Sequence, residues 1–242
     1  MLILAFDTTS EHGGAALYRD FNCLALAESV TPASYSVTLF QMVDRLLEEA
    51  RLQHSAPLLT LRDVELYAVA NGPGSFTGIR VGLAAAQAWA KAFGRPVRAV
   101  SVLEAMVEEA APEADLAVPI LDARRGEFYL AAFRRPTAEA SNRFVVAGSG
   151  VVLKPEALGQ LLDGYLHSGA VVTCLVREHD QQTQALREVL PESLRWAEVR
   201  GTLLPAIAHL ALEAYRDRRV QSPAEVDAYY IRRSDAELNW RG

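Results

Sequence analysis

Apolar and polar positions along this chain follow two periods, and the order in which they alternate outlines the fold. Leu2 to Phe6 is a short apolar run ending in the polar Asp7-Thr8-Thr9-Ser10, and Gly13-Gly14 opens a second run through Tyr18. Asp20 and Asn22 mark a turn before a third run, Leu24 to Val30. Three strands in such quick succession predict an antiparallel meander. From Tyr35 to Leu52 the period becomes helical: Val37, Phe40, Val43, Leu47 and Ala50 form one stripe, with Asp44, Glu48, Glu49 and Arg51 mostly off it. Leu66 to Ala70 is a continuous apolar run, as expected of a strand covered on both faces. Ser75 or Thr77 can cap the helix that follows, which Gly94 and Pro96 stop after Phe93, and another helix is predicted over Ser101 to Ala111.

After Pro112 the order starts again. Val118 to Asp122 is an apolar strand ending in an aspartate, Gly126 reopens the chain, and Phe128 to Phe133 and Arg143 to Leu153 read as the next strands. Pro155 to Leu162 is a helix with proline in its first turn, Ala170 to Val176 a buried strand, Gln181 to Leu190 a helix, Arg195 to Arg200 a short extended piece and Leu204 to Arg218 an amphipathic helix. Asp7 and Asp122 fall 115 positions apart, each after an apolar run and before a glycine and a second strand, which is the pattern of an internal repeat. Two lobes of βββαβα order describe an α/β, duplicated ribonuclease-H-like architecture, the actin/hexokinase/Hsp70 (ASKHA) type, by analogy of element order. The expected division is 1–111 and 112–242, with the C-terminal tail packing back on the first lobe.

The join between Ala70 and the next helix, Asn71-Gly72-Pro73-Gly74, must reverse the chain. Glycines ahead of a helix N-terminus invite a phosphate. Gly72, Gly74 and Gly78 are spaced G-x-G-x-x-x-G, however, which is neither the dinucleotide fingerprint nor a P-loop, and the spacing favours a tight turn requiring positive φ. The helix beyond is rich in small residues, Gly78, Gly82, Ala84, Ala85, Ala86, Ala88, Ala90 and Ala92, with Ile79, Leu83, Trp89 and Phe93 as anchors. Close packing in a core and close packing on a partner both fit, with Arg80, Gln87 and Lys91 as the polar edge.

Composition narrows the function classes. A chain of 242 residues, 50% hydrophobic and 22% charged, can bury a sizeable core as one large or two small domains, and it is not a disordered composition. A net charge of -6 argues against a primary nucleic-acid-binding surface, although Arg124-Arg125, Arg134-Arg135, Arg216 with Arg218-Arg219, and Arg232-Arg233 are local basic pairs. Cys23 and Cys174 lie far apart without ligand spacing, so neither a disulfide framework nor structural zinc is expected, and a reducing cytoplasm fits. MLILAFDTTS has no basic leader and reaches Asp7 too early for a signal peptide or a membrane span.

The residue chemistry is mostly subtraction. Asp7 beside Thr8 and Thr9 at a strand end, with Asp122 in the second lobe, suits a metal-bound water or phosphates, and equally suits closure of a hairpin turn. Arg124-Arg125-Gly126-Glu127 lacks the glycine and hydroxyl pattern of a second cradle. His12, His54, His167, His179 and His209 include no i, i+3 or i, i+4 pair, so a metal hydrolase is disfavoured, and no G-x-S-x-G elbow is present.

The segment GPGSFTGIRVGLAAAQAWAKAFGRPVRAVSVLEA closely resembles the TsaB (YeaZ) family, the accessory subunit of the bacterial machinery for threonylcarbamoyladenosine in transfer RNA. LILAFDTTS, LDARRGEFYLAAF, KPEALGQLL and SPAEVDAYYIRRSDAE extend the resemblance along the chain. It implies a protein that is not itself an enzyme: a cytoplasmic, non-catalytic subunit that forms a heterodimer with the transferase TsaD, whose metal-binding H-x-x-x-H is absent here, and admits the ATPase TsaE. It implies a homodimer when alone, transfer RNA contacted only through the complex, no membrane, no catalytic or metal residues and no cofactor, with any ATP and Mg²⁺ belonging to the complex. The implied partner interface is Ser36, Leu39, Phe40, Val43 and Leu47 on the first helix and Arg80, Leu83 and Gln87 on the second. Asp7, Thr8, Thr9, Gly72, Gly74 and Asp122 would form a vestigial nucleotide site. The family usually has His-Ser where this chain has Tyr35-Ser36, and a glycine-rich strand end where it has Val172-Thr173-Cys174-Leu175. The alternative from another class is an ATP-binding phosphotransferase or ATPase of the same fold.

Overall fold

The computed structural model describes residues 1–29, 34–53, 59–136, 143–178 and 180–232. Val30, His54, His179, Arg233 and the SDAE of the tail lie outside them. The chain divides into two units, Met1–Ala105 with Thr202–Tyr229, and Met106–Gly201 with the chain from Tyr230 on. The chain therefore comes back to the first unit after the second, whereas a single division at 111/112 was expected.

The first unit is a five-stranded sheet. Strands β1 (Leu2–Asp7), β2 (Gly14–Arg19) and β3 (Asn22–Glu28) form the meander, β4 (Leu66–Ala70) and β5 (Val97–Val100) run parallel to β1, and the order is β3-β2-β1-β4-β5. Helix α1 (Tyr35–Gln53) covers β2 and β3, and α2 (Phe76–Phe93) covers β4. Leu2, Leu4 and Phe6 enter the core beneath these helices with Tyr67, Val69, Ile79 and Trp89. Their alternate neighbours Ile3 and Ala5 are just as buried, as expected of a strand covered on both faces. α3 (Val102–Ala110) follows β5, and the division between the units falls within it.

The second unit repeats the plan. β6 (Leu116–Asp122), β7 (Phe128–Leu130), β10 (Val151–Leu153), β11 (Val172–Arg177) and β12 (Arg195–Val199) lie in the order β10-β7-β6-β11-β12, each strand in the place of its first-unit counterpart. β8 (Phe133–Arg134) pairs with β6 and β9 (Val145–Val146), a ribbon with no counterpart among the described residues of the first unit. α4 (Pro155–His167) packs Leu158 and Leu162 onto this sheet, and α5 (Gln181–Gln184) tightens into a 3-10 turn over Ala185–Glu188. α6 (Leu204–Arg216) belongs to the first unit, where it packs across β1, β2, β4 and β5.

Three expectations are corrected. Each lobe carries a further strand beyond the βββαβα order, β5 and β12; β5, four residues long, is too short for its pattern to mark it in the sequence. The expected strands Phe128 to Phe133 and Arg143 to Leu153 are each two strands, β7 with β8 and β9 with β10, because β7 pairs with β10 while β8 pairs with β9. On α1 the core stripe is Tyr35, Leu39, Val43, Leu46, Leu47 and Ala50, which satisfies the helical period as well as the stripe starting at Val37 does. Val37 and Phe40 are left outside, 65% and 53% exposed.

Candidate functional site

In open α/β sheets the ligand crevice lies beyond the carboxyl ends of the strands, where their order reverses. In the first unit this is the gap between the ends of β1 and β4, framed by Asp7-Thr8-Thr9 and Asn71-Gly72-Pro73-Gly74. The chain fills it with itself. Asp7, Thr8 and Thr9 are 0%, 1% and 2% exposed. Asp7 Oδ1 accepts the Thr9 backbone N–H at 2.8 Å and the Thr9 hydroxyl at 2.6 Å. Thr8 Oγ1 donates to Gly78 O at 2.7 Å, and Ser75 N–H donates to Thr9 O at 2.7 Å. Ser75 also caps α2, its hydroxyl accepting Gly78 N–H at 3.2 Å. A Cβ on Gly78 would overlap Thr8 O, and one on Gly74 would stand 2.5 Å from Thr9 O. These glycines serve the approach of one stretch of chain to another.

The far side of the loop is covered as well. Gly72 holds φ +114°, a conformation open to glycine, and a Cβ there would meet Tyr229 O at 2.9 Å. Tyr229 N–H donates to Asn71 O at 2.8 Å.

Asp122, in the second unit, repeats the Asp7 turn. Its Oδ1 accepts Arg124 N–H at 2.7 Å, two residues on, as Asp7 does with Thr9, and its other oxygen lies 3.4 Å from the exposed Arg124 guanidinium. Arg124, Arg125 and Gly126 follow at φ +64°, +60° and +71°. Arg232 fastens this turn: it donates to Ala123 O at 2.9 Å, pairs with Glu127 and lies over the Tyr129 ring at 5.8 Å. Val172-Thr173-Cys174-Leu175, the departure from the glycine-rich pattern, is the buried body of β11. Among the described residues no three His, Cys, Asp or Glu side chains gather as a metal site, and no helix is long and apolar enough to cross a membrane.

The expected partner residues separate into three groups. Leu39, Val43, Leu47 and Leu83 are buried in the first unit's own core, which corrects their placement on an outer face; on a helix packed over a sheet, the apolar stripe goes inward. Ser36, Phe40 and Arg80 face outward. Phe40 sets its ring edge-on to Trp89 at 5.4 Å and so joins α1 to α2, while the Arg80 guanidinium lies over Phe76 at 3.8 Å. Around them Val37 on α1 and Ala84 and Ala88 on α2 are exposed, giving an apolar surface with little side-chain bulk on α2. Gln87 turns to the chain's own tail, donating from Nε2 to Val226 O at 2.9 Å. Tyr35 points inward, its hydroxyl donating to Ser10 O at 3.0 Å, so this departure from His-Ser anchors α1 to the β1–β2 turn.

The tail was expected to pack back on the first lobe, but the residues that tie it there, Gln221, Val226, Asp227 and Tyr229, and the Arg232 clasp are not marked in the sequence. Backbone carbonyls supply many of these bonds and carry no side-chain signature.

The family model described as "TsaD: tRNA N6-adenosine threonylcarbamoyltransferase" matches residues 29–157. The tRNA threonylcarbamoyladenosine biosynthesis protein TsaB of Bacillus subtilis is 36% identical over 129 residues, 53% of this chain and 53% of that protein. Its Escherichia coli namesake is 32% identical over 158 residues, 64% of each. The chain thus spans between about half and two thirds of the length of these relatives. A Pseudomonas aeruginosa protein described as similar to peptidase YEAZ superposes with a TM-score of 0.74 at 25% identity, covering 96% of this chain and 99% of that one.

Proposed function

The chain belongs to the TsaB/YeaZ family, and on that premise we propose that it is a non-catalytic subunit in the formation of threonylcarbamoyladenosine at adenosine 37 of transfer RNA. It binds and activates a TsaD-type transferase as a heterodimer and lets TsaE join. Alone it pairs with a second copy, and transfer RNA reaches it only through the complex. The observation that carries this reading is the contrast within the first unit, where the crevice between β1 and β4 is packed with the chain's own backbone while Phe40 stands 53% exposed between two helices. Large exposed aromatics beside small side chains suit a protein interface, because the aromatic supplies buried area and the alanines allow close approach. The same filled crevice weighs against an ATP-binding phosphotransferase or ATPase.

The test is threonylcarbamoyl transfer to transfer RNA by the cognate TsaD, TsaE and threonylcarbamoyl-adenylate synthase, with and without this chain. Activity should require the chain and be absent from the chain alone. Phe40→Asp should lose both the stimulation of transfer and binding to TsaD while the chain stays folded; Leu83→Asp, which places a charge in the core, should unfold it. Full activity with Phe40→Asp would show the surface to be elsewhere.

A further inference from the structure

After α6 the chain runs back along the β4–α2–β5 unit. Gln221 exchanges both backbone bonds with Val97, at 2.8 and 2.9 Å, and its Oε1 accepts Ala99 N–H at 3.0 Å. Ser222 and Glu225 close a turn, Ser222 N–H donating to the Glu225 carboxylate at 2.8 Å and Glu225 N–H to Ser222 O at 3.0 Å. The Val226 side chain is buried in the core beneath α2, and its carbonyl accepts Gln87 Nε2–H. Asn71 Nδ2 donates to Asp227 O at 3.0 Å, and Asn71 O accepts from Tyr229. One extended segment thus holds the strand that follows α2, the middle of α2 and the loop that precedes it.

We infer that Gln221–Tyr229 is a strap that sets the position of α2, and that Gln87 is a positioning residue: it acts on the partner face through the helix, without touching the partner. This rests on the partner reading above. Eight of the 18 residues of α2 are alanine or glycine, so outside its anchors Ile79, Leu83 and Trp89 its placement depends on close backbone approach and on whatever clasps it from the side. One flank of α2 is held by the strap; the flank bearing Arg80, Ala84 and Ala88 is open. Loosening the strap costs affinity at the open flank, because binding must then also pay for ordering α2.

The experiment is a double-mutant cycle on the full chain, with two readouts. Gln87→Met removes the donor at similar volume, and Val226→Ala slackens the strap without altering the exposed face of α2. Each should speed hydrogen exchange of the Ala84–Ala90 amides by about tenfold and weaken binding to TsaD by about three- to tenfold, roughly the worth of one hydrogen bond. The double variant should be no worse than the weaker single, since both open one latch. Gln221→Ala, at the other end of the strap, should act likewise if Val226→Ala folds poorly. Unchanged α2 exchange in Val226→Ala and Gln221→Ala would overturn the strap. Weakened binding with Gln87→Met alone, additive in the double variant, would make Gln87 a direct contact and overturn the positioning role. If the unsubstituted chain bound no TsaD, the partner reading would fall, while the exchange measurement would still decide the strap.

Discussion

Two cysteines share a chemistry that their surroundings separate. Cys174 is buried in β11, and burial alone pushes its thiol from the ordinary 9.0 up to about 12; Cys23 lies exposed in β3. A thiol reacts as its thiolate, so maleimide at pH 8 should label one site per native chain, at Cys23, and two after denaturation, as read by intact mass. Rapid native labelling at Cys174 would mean that β11 opens readily. The sign of the linkage is also fixed. The Cys174 contribution to stability is full below the ordinary thiol value and is lost as pH rises toward about 12, because the unfolded thiol ionises first. At this scale the sequence was informative about chemistry and less so about direction. Asp7 with Thr9 was readable as a turn closure, and the turn is what the two oxygens of Thr9 and Asp7 make. Which leucines of α1 face inward was not readable, since Leu39 and Phe40 are adjacent and both fit an apolar stripe.

At the scale of elements, α2 explains why glycine recurs in this helix. Replacing glycine by alanine in a helix is worth up to about 1 kcal/mol in its favour. At Gly78 the new methyl would overlap the Thr8 carbonyl, a main-chain atom on the strand-to-hairpin turn, and overpacking of that kind costs about 1–3 kcal/mol or more. At Gly164, on the exposed face of α4, a methyl meets nothing within 4 Å. Urea unfolding should therefore show opposite signs, Gly78→Ala destabilising by about 2 kcal/mol and Gly164→Ala stabilising by up to about 1 kcal/mol. A stabilising Gly78→Ala would mean that α2 is not seated against Thr8. Long elements with a clean period were legible to within a residue or two: β4, α2 with its Ser75 and Gly94 caps, and the meander. β5, the split between β7 and β8, and the strap were not, because short strands and backbone-to-carbonyl ties leave no periodic trace.

For the whole molecule, duplication was visible from two aspartates and holds down to the hydrogen bond. Both sheets have the same strand order, and each first strand ends in an aspartate whose Oδ1 accepts the backbone N–H two residues on, Thr9 in one unit and Arg124 in the other. That shared detail bears on nucleotide chemistry. Each carboxylate already closes its own turn, Thr8 and Thr9 spend their hydroxyls inside the first unit, and the second hairpin presents arginine where the first has threonine. Holding phosphate at the first-unit crevice would require breaking the Thr8–Gly78 and Ser75–Thr9 bonds and parting α2 from the Thr8-Thr9 turn, with Asp7 Oδ1 already engaged by both the backbone and the hydroxyl of Thr9. Calorimetric titration of the full chain with Mg-ATP should therefore show no binding up to about 1 mM, where association would be worth only about 4 kcal/mol. Binding tighter than about 100 µM that disappears in Asp7→Asn would mean the crevice opens at modest cost, and the packed turn would then be a closed state of a working site.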